Sequence, residues 1–345
     1  MNRTRAWLEY LPIAAGARLL RLVPRRAALA AGRGLGRLAW MVDTTHRRIA
    51  LENLAAAFGD SMSPDDRRRL TGRIFAHFGM VAVDCLLMRS LHPRDVDRLI
   101  EYEGVDHLRK AFLKGKGVFV FSAHLGNWEM VALMQGWLGY PMAMVTRPLD
   151  NPLLDRLLLE GRIRSGNLVI HKRSAVRGIL KAIRNGWCVA IVIDQDIRGT
   201  EHVFVDFFGR PAATTPTLGL LALKTGSPVV PAFGLPLEDG RYRVTYLPEV
   251  PVSEIACTGS REGDVAAITQ ACTRIIEQQV RARPECWLWM HKRWKTTLRK
   301  RKAEPRSSND ETGVMGANDG HPGTHVNHGN HGDPGNDNAG TEERS

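Results

Sequence analysis

Val118-Phe119-Val120-Phe121-Ser122-Ala123-His124-Leu125-Gly126-Asn127-Trp128-Glu129 carries the fold signal of this chain. Residues 118–121 are apolar without alternation, as expected of a strand buried on both sheet faces. A histidine stands just past the strand's exit, and Gly126-Asn127 reads as a small turn. Helical spacing over 127–138 follows. Strand, turn and helix in that order form one unit of an α/β sheet. Imidazole suits proton abstraction near neutral pH. A carboxylate beside it can fix its tautomer and stabilise its cation. His124 with Glu129 can therefore activate a hydroxyl for attack on an acyl group. A core histidine bonded to a helix carboxylate would show the same spacing. Zinc protease chemistry needs a second histidine four positions away, which is missing. No Gly-x-Ser-x-Gly elbow is present either.

The unit repeats along the chain. Strands are predicted at 118–121, 142–146, 168–170, 188–193, 229–233 and 242–246. Helices are predicted at 127–138, 152–165, 175–185, 217–225 and 264–281. The expected fold class is α/β, a mixed central sheet flanked by helices, with a helical N-terminal region. Residues 1–48 read as helical, with Gly32, Gly34 and Gly36 loosening the middle. A helix follows over 47–58. Ser63-Pro64 is an N-cap with proline at the first helical position. The apolar periodicity from Leu70 to Met88 makes that helix long and broadly apolar. Three regions follow: 1–48, a membrane-associating helical segment; 49–302, the catalytic body; and 303–345, a tail of Gly, Asn, Asp and His. The tail has too few bulky apolar residues to offset chain entropy, so disorder is expected there.

The chain of 345 residues carries a formal charge of +12. The tail is acidic at −6, which leaves +18 on the body up to Lys302. A body so basic favours an anionic partner: phospholipid headgroups, an acidic carrier protein or nucleic acid. Five scattered cysteines without a Cys-x-x-Cys pair suit a reducing compartment and supply no metal framework. The apolar stretch 7–23 is interrupted by Glu9, Arg18 and Arg21, short of the roughly 20 uncharged residues of a membrane span. Two readings fit it: an arginine-rich amphipathic helix at a lipid surface, or a plain helix packed on the body. Trp287, Trp289 and Trp294, with His291, Arg293 and Lys295, form an aromatic-basic cluster. A lipid-interface belt and core packing both fit that cluster.

Several blocks then coincide. His124-Leu-Gly-Asn-Trp-Glu129 resembles the His-x4-Glu motif of the bacterial lipid A acyltransferases, the late acyltransferases of lauroyl and myristoyl type. Arg147-Pro148, Asn151-Pro152, Gly161-Arg-Ile-Arg-Ser-Gly166, Asp194-Gln-Asp196, Phe207-Phe-Gly-Arg-Pro211 and Gly226-Ser-Pro-Val-Val-Pro231 follow in the expected order. Trp289-Met-His-Lys-Arg-Trp-Lys295 looks like the family's C-terminal signature. The likeness spans about residues 1–300, and ordered blocks are far more specific than one motif.

The resemblance implies a glycerol-phosphate-acyltransferase-like sheet and kinship with lysophospholipid acyltransferases. It implies O-acyl transfer from a thioester, acyl-carrier protein or acyl-CoA, to a hydroxyl of a glycolipid acceptor, without a cofactor or metal. It places the protein on the cytoplasmic face of a bacterial inner membrane, against anionic lipid. His124 is then the general base and Glu129 its orienting partner. A place at the start of the helix over 127–138 is expected to lower the imidazole pKa. Arg162 and Arg164 are candidates to clamp an acceptor phosphate, or are solvated helix arginines. Asp194 and Gln195 stand where α/β folds place their sites, with an acceptor-positioning or structural role. Another glycolipid or a lysophospholipid is the alternative acceptor. Nucleic-acid binding is a third reading, for which no recognition motif appears.

Overall fold

Four long helices lead into the sheet: α1 (Arg3–Leu20), α2 (Arg25–Val42), α3 (Thr44–Phe58) and α4 (Pro64–Leu87). The structure is a computed structural model and describes residues 2–171, 175–197 and 202–296, all within one compact unit. The tail of 303–345 and the basic run 298–302 lie outside the described residues. Helix α4 starts as its sequence demands. The Ser63 side chain accepts the Asp66 N–H, Pro64 holds the first position, and Asp65 and Asp66 occupy the first turn.

The glycines of α2 do not loosen it; the helix runs unbroken from Arg25 to Val42. They allow close packing instead. A Cβ at Gly36 would lie 2.0 Å from the Phe75 carbonyl oxygen, and one at Gly79 would lie 2.3 Å from that of Gly32. Helices α2 and α4 thus meet backbone to backbone, and any side chain at these positions would push them apart. Residues 64–90 are the one helical stretch among the described residues long and apolar enough to cross a membrane, and 61% of that window is buried inside the protein.

The α/β region begins with α5 (Val96–Leu99), β1 (Ile100–Glu103) and α6 (Val105–Phe112), then β2 (Val118–Ser122) and α7 (Trp128–Trp137). Next come β3 (Met142–Thr146), α8 (Pro152–Arg162), β4 (Leu168–His171), α9 (Ala175–Arg184) and β5 (Cys188–Val192). The chain closes with β6 (Val203–Phe207), β7 (Arg210–Thr214), α10 (Thr217–Thr225), β8 (Val229–Pro236), β9 (Tyr242–Tyr246), α11 (Val252–Ile255) and α12 (Arg261–Ala282). The main sheet has seven strands in the order β1-β9-β8-β2-β5-β3-β4. Its pairs are parallel except β8 with β9, so the expected mixed sheet is formed.

Strand β2 is buried at every position. Phe119 and Phe121 join one apolar core, while Val118 and Val120 join the other. Each such side chain stabilises the fold by about 1.5–3 kcal/mol. The chain leaves β2 toward β3 on one side and leaves β5 toward β8 on the other. The carboxyl ends of β2 and β5 therefore flank the reversal of strand order, where open α/β sheets hold their ligands.

The β6–β7 hairpin was not expected. Its turn is Phe208-Gly209, both at positive φ (58° and 71°). Glycine suits that conformation and phenylalanine does not. Packing against Phe58, Phe207 and Trp289 holds Phe208 there, with the Arg281 guanidinium 4.3 Å from its ring centre.

Candidate active site

Strands β2 and β5 pair Ser122 with Val192. Carried two residues past the ladder, the same register sets His124 across from Asp194. The imidazole Nδ1 lies 2.8 Å from Asp194 Oδ1. A carboxylate only accepts here, so Nδ1 carries the hydrogen and Nε2 is left as the basic nitrogen. Asp194 Oδ2 accepts the backbone N–H of His124 (2.8 Å) and the indole N–H of Trp287 (2.7 Å). The amide nitrogen of Gln195 lies 3.3 Å from His124 Nε2.

Burial raises the Asp194 pKa, but the charge of His124 and the hydrogen bonds from His124 and Trp287 outweigh it and bring it down to about 2. Burial likewise pulls the imidazole down, yet the Asp194 charge and hydrogen bond, with the Glu129 charge behind them, leave its pKa above the ordinary 6.5. The expected lowering by the helix start is overturned. Asp194 touches the ring, whereas α7 begins four residues later.

The carboxylate bonded to the His124 ring is that of Asp194, where the sequence reading expects Glu129. Glu129 lies in the first turn of α7 and pairs bidentately with Arg162 at the end of α8, with Nε to Oε2 at 2.8 Å and Nη2 bonded to Oε1. Both side chains are largely buried. Among the described residues Asp194 forms no ion pair with Arg162 or Arg164; its ion-pair partner is His124. Asp196 turns away to accept the N–H and hydroxyl of Thr296.

Gly126 shapes the turn between strand and helix. Its φ is +64°, and a Cβ would meet the Gly234 carbonyl oxygen at 2.0 Å. Its N–H donates to Cys286 O (2.9 Å), and its carbonyl faces His77 Nε2 at 3.3 Å. Asn127 is wholly buried. Its Oδ1 caps α7 at the Met130 N–H, and its amide reaches Asp84 Oδ2 (3.2 Å) and Tyr242 Oη (3.3 Å). Arg25 Nη2 donates to the same Asp84 oxygen at 2.9 Å. The motif turn is thereby tied to α2 and α4.

A cavity of about 430 Å³ opens at His124 and runs under the sheet. Glu129, Arg162 and Gln195 line its polar end, and Val120, Ala190, Met142 and Met144 line its apolar length. Val120 pairs with Ala190, and Ala190 with Met144, so these three form one row across β2, β5 and β3. The structure thus gathers four of the six expected site residues, His124, Glu129, Arg162 and Gln195, around one cavity, and Asp194 stands behind His124 without lining it. Arg164 is not among its lining residues. Past Arg162 the chain tightens into a short turn over Ile163–Ser165 closed by Gly166 at φ +81°. That turn directs Arg164 Nε to Leu91 O at 2.6 Å.

By sequence Trp287 belongs to an aromatic cluster, and no sequence signal announces its bond to Asp194. The cluster itself is core packing. Trp287 and Trp289 are buried edge to face at 4.7 Å. Arg293 is buried with Nη1 on Ala213 O at 2.7 Å and its second Nη bonded to the Thr214 hydroxyl.

A partly buried imidazole bonded to a buried carboxylate thus stands at the mouth of a cavity with an apolar length. The profile of the bacterial lipid A biosynthesis acyltransferase family matches residues 1–296, and the chain belongs to that family; it is an acyltransferase. It is 29% identical over 294 residues to the lipid A biosynthesis lauroyltransferase of Escherichia coli K12, covering 85% of this chain and 92% of that one. It is 29% identical over 253 residues to the palmitoleoyltransferase of the same organism, covering 72% and 78%. It is also 29% identical over 219 residues to the phosphatidylinositol mannoside acyltransferase of Mycobacterium tuberculosis, covering 62% and 66%. The nucleic-acid reading, raised on charge alone, gives way to this membership.

Proposed function

We propose that the protein transfers a fatty acyl chain from an acyl thioester to a hydroxyl of a lipid A precursor. The single observation that carries this reading is the His124–Asp194 pair at the polar mouth of the apolar cavity. The acceptor oxygen approaches the thioester carbonyl while His124 Nε2 takes its proton. Asp194 holds the tautomer and stabilises the imidazolium that forms. The C–O bond forms, the C–S bond breaks, and the departing thiolate takes the proton from the imidazolium. The products are an ester and a thiol, with no covalent enzyme intermediate. The acyl tail lies along Val120, Ala190 and Met144. Glu129 holds the Arg162 guanidinium at the cavity edge, where it faces the acceptor's anionic group.

The donor is acyl-carrier protein, an acidic partner that the basic body attracts; acyl-CoA carries the same phosphopantetheine thioester. The reaction runs at the cytoplasmic face of the inner membrane. Helices α1 and α2 support this reading by exposing Leu8, Leu11, Leu19, Leu35, Leu38 and Val42 beside many arginines, as a lipid-facing surface would. The likeness to the phosphatidylinositol mannoside enzyme favours a second reading, acylation of a different glycolipid.

The test pairs purified protein with defined acyl-carrier protein and acyl-CoA donors and with defined acceptors, alongside lipid mass spectrometry of a deletion strain. Loss of one secondary acyl chain from lipid A supports the first acceptor. Unchanged lipid A with an altered second glycolipid supports the other and overturns the first.

A further inference from the structure

A second cavity, of about 690 Å³, lies between α2, α4 and the turn Pro284–Cys286, and shares no lining residue with the catalytic one. Its size lies within the usual range for small-ligand sites. Five arginines line it: Arg33 and Arg37 of α2, Arg69 and Arg73 of α4, and Arg283. Among the described residues the only carboxylate in its lining is Glu285, which is engaged by Arg283 Nε at 2.8 Å. Arg69 is held by Asp66 at 2.6 Å. Arg33, Arg37 and Arg73 have no hydrogen bond or ion pair among the described residues. Both helix pairs are spaced four residues apart on one face, and like charges so placed repel unless an anion lies between them.

The remaining wall is apolar, with Trp40, Met41, Ala76 and Met80. Leu35, Leu38 and Val42 of the same α2 are also exposed, outside the cavity lining. Guanidinium groups above an apolar floor, on a helix that also exposes apolar side chains, match an amphiphile with an anionic head. We propose that this cavity binds the phosphate headgroup of an anionic lipid, separately from the acyl-transfer site. A concave site of this size takes a headgroup, whereas the helix of an acidic protein needs an open surface. The cavity also reaches the catalytic turn, because His77 and Cys286 both line it and both touch Gly126. Headgroup binding therefore braces the segment that carries His124. The inference rests on the reading that the enzyme works at a lipid surface.

The test uses the full chain with R33Q, R37Q and R73Q combined, against a control combining R109Q, K110Q and R184Q, exposed positions outside the cavity lining that remove the same charge. Co-sedimentation uses phosphatidylcholine vesicles with and without phosphatidylglycerol at physiological salt. The cavity variant should lose roughly tenfold or more in affinity for the anionic vesicles, and the control less than about twofold. Soluble glycerol phosphate should raise the melting temperature of the wild type and not of the cavity variant. Equal losses in both variants would overturn the site. Stabilisation by inorganic phosphate with unchanged vesicle binding in the cavity variant would make it a free-phosphate site and overturn the lipid assignment. Loss of acidic carrier-protein binding alone in that variant would also overturn it. His124→Ala should bind vesicles as the wild type does, so a failure of the acyl-transfer reading is distinguishable from a failure of this one.

Discussion

His124 Nδ1 and Asp194 Oδ1 meet at 2.8 Å across 70 residues of sequence. The contact follows from β2 and β5 being paired neighbours whose register continues into the loops beyond them. It also sets the pH behaviour. The folded imidazole holds its proton above the ordinary 6.5 because of Asp194, and a general base must be neutral to act. Activity should therefore fall with falling pH on an acid limb centred above 6.5. Asp194→Asn removes the charge, so the limb should move to lower pH while kcat drops by roughly 10²–10⁴-fold. A kcat/KM pH profile of both proteins checks this. An unmoved limb would show that Asp194 does not govern the imidazole.

Gly126→Ala should abolish transfer and lower stability by about 1–3 kcal/mol. The positive φ disfavours any Cβ, and the Gly234 carbonyl occupies the space it needs. Urea denaturation together with an activity assay reads both effects.

Arg25→Ala should destabilise the protein by about 3 kcal/mol, because it leaves the fully buried Asp84 carboxylate with only neutral partners. Asp84 also holds Asn127, so transfer should fall alongside stability. Arg25→Lys should restore part of both, and denaturant midpoints would show it.

Ala190→Leu should shift donor preference toward shorter acyl chains while kcat for the shortest donors stays near the wild-type value. Ala190 sits in the row Val120–Ala190–Met144 across the cavity, and added methylenes there shorten the apolar slot. Competition among acyl donors of graded length measures the shift.

Much of this was legible in the sequence. Met142–Thr146, Thr217–Thr225 and Tyr242–Tyr246 form where their local patterns place them, because apolar period and glycine stops are local properties. Partner strands are not local. A buried run such as Val118–Ser122 states its burial and not its neighbours, so the Asp194 contact was invisible and the nearby Glu129 stood in for it. The helix start at Trp128 decides against Glu129, placing it against Arg162. Gly32 and Gly36 misled for a related reason. Glycine weakens an isolated helix, but here it permits a close crossing that only the partner α4 reveals. The Phe208 turn carried no turn residue at its first position and was missed on that account.

The central claim is that His124 removes the acceptor's proton. The most direct measurement is the single-turnover rate of acyl transfer by purified His124→Ala, with circular dichroism and melting temperature confirming the fold. A loss of about 10²-fold or more with the fold intact is the predicted result. Near-normal transfer by the folded variant would contradict the account.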